Sequence, residues 1–147
     1  MNARLLYRTS SILILLFALG HTFGFRQINP AWGIDSLIAA MRSTRFDAQG
    51  FSRTYFDFYS GFGLFVTAFL LLAAVLAWQL GDAPPDSRRF LRPTAWTLVL
   101  AFAASAVLGF VYFFWIPIIF SSVIALLLAL AALRSTSPAF ANHPHES

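Results

Sequence analysis

The sequence predicts an all-α membrane protein: a bundle of four transmembrane helices with an amphipathic helix in its first loop. Three observations carry that expectation. Of the 147 residues, 59% are hydrophobic and 11% charged, whereas a soluble domain needs about 25% charged residues to cover its wetted surface. The apolar residues fall in four blocks, each close to the roughly 17–25 residues that a helix needs to cross a bilayer. The breaks between blocks carry arginine, glycine or proline.

The first block spans about 10–25 and follows Arg4 and Arg8. Ala18 and Gly20 are small enough for a signal-peptide cleavage site. The apolar character continues through Phe23 and Phe25, however, so the block reads as a retained helix. In the connector that follows, Asn29-Pro30 has the form of a helix cap with proline at the first helical position. Ile34, Leu37, Ile38 and Met41 recur at the spacing of one helical face, with Asp35, Arg42 and Arg45 largely off it. Trp32 suits an interfacial anchor, and the segment is expected to lie on the membrane surface or to cap the bundle. Gly50 breaks the chain before Phe51.

The second block spans about 58–80 and ends in a polar turn from Gly81 to Arg89, closed by Arg92 and Pro93. The third covers about 94–114. Trp115-Ile116-Pro117 then forms a tight connection, because proline is tolerated at a helix start and disfavoured within one. The fourth covers about 117–133. Residues 1–134 thus read as a single four-helix domain and residues 135–147 as a disordered polar tail.

Helices in lipid pack through small residues, and each block carries such a row. These are Gly20 and Gly24; Asp57, Ser60, Gly61, Leu64 and Ala68; Thr97, Ala101, Ser105 and Gly109; and Ser121, Ala125 and Ala129. They are expected to face one another, leaving phenylalanine and leucine to face lipid.

All ten basic residues are arginine, and no basic run accompanies them. They read as anchors at anionic headgroups rather than as a nucleic-acid surface. The absence of cysteine excludes disulfides, thiolate catalysis and iron–sulfur clusters. Arg4, Arg8, Arg88, Arg89, Arg92 and Arg134 share the side of the termini. Arg26, Arg42, Arg45 and Arg53 lie opposite, offset by Asp35, Asp47 and Asp57. The positive-inside rule then places both termini in the cytoplasm.

That topology brings chemistry-bearing residues to one layer at the outer ends of the helices. His21 lies about one turn below the end of the first helix, and Asp57 and Tyr59 open the second. The third ends there with Tyr112 and Trp115, and Arg53 ends the connector. A neutral imidazole can donate and accept at once, Asp57 can orient it, and Arg53 can hold a carboxylate or phosphate by its fork of donors. The aromatic groups supply an apolar wall. Asp57 also suits a simple helix cap, and tyrosine and tryptophan are enriched at interfaces without any ligand. No metal site is expected, and the sequence specifies no cofactor: one intramembrane histidine cannot give bis-histidine haem ligation within a chain. His143 and His145 lie in the tail.

The stretches Gly20-His21-Thr22-Phe23-Gly24-Phe25, Met41-Arg42-Ser43 and Arg53-Thr54-Tyr55-Phe56-Asp57-Phe58-Tyr59-Ser60-Gly61-Phe62-Gly63 resemble a family of small uncharacterised bacterial membrane proteins of the broader DoxX-like type. The resemblance covers the first half of the chain well and the second half by helix pattern. It implies a four-helix fold in the bacterial inner membrane and carries no catalytic residues.

Three functions remain open on the sequence. The first is binding of a lipid-like or amphipathic molecule near the outer face, by the protein alone or as an accessory subunit of a membrane complex. Its binding residues would be His21, Arg53, Asp57, Tyr59, Tyr112 and Trp115. The second is an enzyme using His21 and Asp57 as an acid–base pair on a hydrophobic substrate. The third is a structural subunit whose small-residue rows face partner helices or a second copy. Membrane lipids are the expected partners in each case.

Overall fold

A computed structural model describes residues 2–135. In chain order it contains α1 (Ala3–Gly24), a 3-10 turn (Pro30–Trp32), α2 (Asp35–Ser43), β1 (Arg45–Ala48), β2 (Phe51–Thr54), α3 (Tyr55–Asp82), α4 (Pro85–Phe90), α5 (Arg92–Tyr112) and α6 (Trp115–Arg134). The fold is all-α in its main elements, and α1, α3, α5 and α6 are long and apolar enough to cross a membrane. All four begin before the apolar blocks do. Hydropathy marks the hydrocarbon region, while the helical backbone continues into the headgroup zone. The 28 residues of α3 span about 42 Å at 1.5 Å each, against a hydrocarbon core of about 30 Å.

The connector differs from expectation in three places. Asn29 does cap a helical turn, accepting from the Ala31 N–H at 2.9 Å, but that turn is the 3-10 segment, which Gly33 ends at φ +64°. The amphipathic helix α2 starts later, at Asp35, and none of its residues is buried. Gly50 does not simply break the chain. It closes an antiparallel hairpin in which Arg45 pairs with Thr54 and Ala48 with Phe51. Gln49 and Gly50 form the two-residue loop with φ of +53° and +83°, and positive φ at both positions is the mark of a type I′ turn. Gln49 holds this geometry at a cost that asparagine, which tolerates it better, reduces. Gln49→Asn is expected to raise the thermal unfolding midpoint, by up to about 1 kcal/mol of stability; a lowered midpoint would contradict the turn assignment.

The polar stretch 81–89 is likewise not all turn. Residues 85–90 form the short helix α4, and Pro93 occupies the first turn of α5. At the other tight connection, Phe113 and Phe114 link the helices while Pro117 sits in the first turn of α6. Its missing N–H is one of the donors a helix start leaves unpaired anyway.

The chain forms two compact units. One comprises the described parts of Met1–Leu13 and Val75–Ser147, and the other comprises Ile14–Ala74. The boundaries fall inside α1 and α3, so each of these helices contributes a segment to both units.

In the first unit α5 and α6 pack as a hairpin. Gly109 lets the helices close near the turn: a Cβ there would lie 3.2 Å from the Ile118 side chain. The buried residues of α5 are Ala95, Leu98, Val99, Phe102 and Gly109. The expected row of Thr97, Ala101 and Ser105 is instead exposed. Thr97 and Ser105 can face outward because their hydroxyls donate to Pro93 and Ala101 carbonyls at 3.0 and 2.8 Å. On α6, Ser121 is buried and Ala125 and Ala129 are half-buried, as the small-residue spacing predicts.

In the second unit the less exposed side of α3 carries Gly63, Thr67, Leu70 and Ala74. Leu64 and Ala68, expected there, face outward together with Phe62, Phe65 and Phe69. Gly20 and Gly24 were also expected to admit a neighbour, yet nothing lies within 4 Å of a Cβ built on either. The close approach in this unit is at Gly63.

Candidate functional site

The functional candidates of the second unit separate into two arrangements: a latch between α1 and α3, and a groove on the outward side of α3. The latch centres on Gly63. His21 Nε2 lies 3.0 Å from the Gly63 carbonyl oxygen. A carbonyl only accepts, so Nε2 carries the hydrogen and donates. The imidazole stacks on Phe25 at 5.3 Å and 30°. The Phe25 ring in turn covers Gly63 so closely that a Cβ there would lie 2.6–2.8 Å from three ring carbons. Only glycine leaves room for that ring.

Two further contacts complete the latch. The Tyr59 hydroxyl donates to the Phe25 carbonyl at 2.7 Å, satisfying an acceptor just past the end of α1, where helical carbonyls lack partners. Thr22 Oγ1 and Thr67 Oγ1 lie 2.8 Å apart, and each also lies near a carbonyl of its own helix, Ala18 at 2.7 Å and Gly63 at 3.2 Å. A hydroxyl has one hydrogen to donate. One threonine therefore donates across the interface while the other donates within its helix.

Asp57 belongs to neither His21 nor the latch. Its Oδ2 accepts from the Thr54 N–H at 2.7 Å, while its own N–H donates to Thr54 Oγ1 at 3.1 Å. This reciprocal pair is a capping box, which satisfies orphan donors at the start of α3. The expected meeting of His21 and Asp57 is thus replaced by separate engagements: among the described residues neither bonds to the other. The signal was present as Thr54-Tyr55-Phe56-Asp57, a threonine followed three residues later by an acid.

The groove is lined by Arg53, Asp57, Phe58, Gly61, Phe62 and Phe65 and measures about 250 Å³. The α3 members recur at three- and four-residue steps, which places them on one face. Gly61 leaves the groove open, since nothing lies within 4 Å of a Cβ built there. The hairpin fixes its polar end: Phe46 packs on Tyr55 at 5.0 Å and on Phe58 at 5.1 Å, and Phe58 meets Phe62 at 6.2 Å. Arg53 lies over Phe51 at 5.3 Å and donates from Nη1 to the Ser52 carbonyl at 2.9 Å. Its other donors have no partner among the described residues. A wider depression of about 440 Å³, formed by Ala48, Gln49, Phe51, Arg53 and Phe58, continues over the hairpin.

No family model, curated protein or solved structure matches this chain. The site therefore rests on its own geometry.

Of the six residues the sequence singles out, His21 and Tyr59 enter the latch, and Arg53 and Asp57 line the groove. Tyr112 and Trp115 flank the turn of the α5–α6 hairpin, in the other unit, and both are exposed. His143 and His145 lie outside the described residues. Among the described residues no group of three histidine, cysteine or acidic side chains is placed to hold a metal. Sequence reasoning missed Gly63, Thr67 and Phe25 as latch residues and Phe58, Gly61, Phe62 and Phe65 as groove residues. The phenylalanines are expected from the sequence to face lipid; Phe58, Phe62 and Phe65 are exposed, and Gly61 between them turns an apolar face into a concave one.

Proposed function

We propose that this multi-pass membrane protein binds a lipid-like or amphipathic small molecule in the α3 groove. The observation that carries the reading is the groove's polarity: Arg53 and Asp57 at one end, and Phe58, Phe62 and Phe65 along the rest. The free guanidinium donors of Arg53 suit a head group rich in acceptor oxygens, and the phenylalanine wall suits a hydrocarbon or ring. Complete small-molecule pockets usually measure about 300–1,000 Å³. A smaller, open groove suits the head and first segment of a ligand whose remainder stays in lipid. We place the protein in the bacterial inner membrane with both termini cytoplasmic, on the arginine distribution and the DoxX-like resemblance, so that the groove's polar end faces outward.

The hydrogen bonds favour binding over acid–base catalysis. His21 spends its Nε2 hydrogen on a backbone carbonyl, and Asp57 is occupied at a helix start. Native mass spectrometry of gently extracted protein tests the reading. Wild-type protein is expected to retain an amphipathic adduct that Arg53→Gln weakens about tenfold, the order expected for losing a charge-assisted contact. An adduct indifferent to Arg53→Gln would remove the role given to this arginine.

A further inference from the structure

The unit containing the start of α1 and the end of α3 has a second polar cluster, independent of the groove. It is built around Gly81. A Cβ on Gly81 would lie 3.3 Å from Arg8 Cγ and equally near the Tyr7 side chain and the Arg4 carbonyl, so its absence lets the arginine stem lie along α3. The Arg8 guanidinium then reaches Asp82 at 2.5 Å and covers the Trp78 ring at 4.8 Å. From the other direction Arg88 Nη2 donates to the Gly81 carbonyl at 3.2 Å. Arg4 also approaches Asp82, at 3.4 Å and on the same carboxylate oxygen. Two guanidinium groups, those of Arg8 and Arg88, are thus held at one glycine, and a third, Arg4, shares the carboxylate that Arg8 reaches.

This cluster has more donors than acceptors. The Nε–H groups of both Arg8 and Arg88 are buried and have no acceptor among the described residues, a state that costs free energy. The segments that form this unit carry six arginines, Arg4, Arg8, Arg88, Arg89, Arg92 and Arg134, against Asp82 and Asp86 within residues 1–135. We propose that Arg8 and Arg88, assisted by Arg4, form a binding site for the phosphate of an anionic phospholipid. A phosphodiester presents two charged oxygens that match the fork of a guanidinium. The Nη1 groups of Arg8 and Arg88 take no part in the bonds to Asp82 and Gly81, so they offer an oxyanion the end-on donors of the fork. A lipid fits better than free phosphate because apolar surface adjoins the cluster. Leu5, Ile12 and Trp78 are all exposed on the same two helices, where acyl chains can lie. Clusters of arginine at the ends of spanning helices recognise anionic head groups in this way.

The test is a titration of delipidated, detergent-solubilised protein with phosphatidylglycerol, with phosphatidylcholine of the same chains, and with inorganic phosphate, read by native mass spectrometry. Phosphatidylglycerol is expected to bind at least about tenfold more tightly than phosphatidylcholine. Each arginine removed should cost about fivefold: Arg88→Gln about fivefold, and the Arg8→Gln/Arg88→Gln pair about 25-fold. Arg42→Gln, in the other unit, should change nothing. Arg88→Gln is the cleaner variant, because Arg88 bonds a backbone carbonyl and Asp82 keeps both its partners. Unfolding midpoints recorded alongside separate lost binding from lost folding. Equal affinity for the two lipids, or unchanged phosphatidylglycerol binding by folded Arg88→Gln, overturns the proposal. Inorganic phosphate binding as tightly as the lipid would assign the cluster to a soluble anion instead, and overturns it too.

Discussion

Gly63→Ala is expected to lower the thermal unfolding midpoint, although alanine is the better helix former. In an open helical position the exchange stabilises by about 1 kcal/mol. At Gly63 the new methyl group would stand 2.6–2.8 Å from carbons of the Phe25 ring, so the ring must swing away. It would give up its stack on His21 and its edge contact with Tyr59. Overpacking of this kind costs about 1–3 kcal/mol, which outweighs the propensity gain by up to about 2 kcal/mol. Gly63→Leu should cost more. The sign provides the control. In a Phe25→Ala background the obstruction is gone, and Gly63→Ala should then stabilise by up to about 1 kcal/mol. Thermal unfolding of the four proteins of this cycle, followed by tryptophan fluorescence in one detergent, measures the reversal. Stabilisation in both backgrounds would show that the ring does not cover Gly63.

Gly61→Leu, two residues away, should have the opposite effect on stability and a large effect on binding. Nothing lies within 4 Å of a Cβ at Gly61, so the start of the side chain meets no neighbour and the variant gains helix propensity, worth up to about 1 kcal/mol. The leucine side chain would occupy the groove between Phe58, Phe62 and Phe65. Retention of the proposed amphipathic ligand should therefore fall by about tenfold or more, the effect of about 1.4 kcal/mol or more of lost contact, while the unfolding midpoint holds or rises. Few substitutions separate stability and binding so cleanly. The two glycines thus make a matched pair, one filled by a neighbour's ring and the other open.

Much of this architecture was legible in the sequence because bilayer thickness leaves a coarse signature. Four apolar blocks gave four helices, and proline at 93 and 117 marked the starts of α5 and α6. The hairpin was not legible, because Gln49-Gly50 lacks the Asn-Gly or Asp-Gly signal of a two-residue turn and Phe46 was not seen as the residue that packs it onto α3. The rotation of α3 was misread for a related reason. Small residues occur on two of its faces, through Gly61 and Ala68 on one and Gly63 and Thr67 on the other. What chooses between them is a pair of side chains on α1, His21 and Thr22, which find the Gly63 carbonyl and the Thr67 hydroxyl. Composition carries no trace of that choice.

The candidate site was legible in its parts and not in their grouping. His21, Arg53, Asp57 and Tyr59 all make the contacts that organise this end of the second unit, but they divide between the latch and the groove. Asp57 is drawn to Thr54 because the first N–H groups of α3 need acceptors, and a carboxylate three residues into the helix is well placed to supply one. His21 is engaged by the Gly63 carbonyl, which can accept a second hydrogen bond through its other lone pair. Both are local demands of helix geometry, and they prevail over the charge pairing that sequence proximity to one membrane layer suggested.

The most direct test of the binding reading is the mass of what leaves the membrane with the protein. Native mass spectrometry of wild-type and Gly61→Leu proteins, extracted side by side in the same mild detergent, should show an amphipathic adduct on the first that is reduced about tenfold on the second, with both folded. Equal adduct on the two proteins, or none on the wild type, would contradict a ligand in the α3 groove.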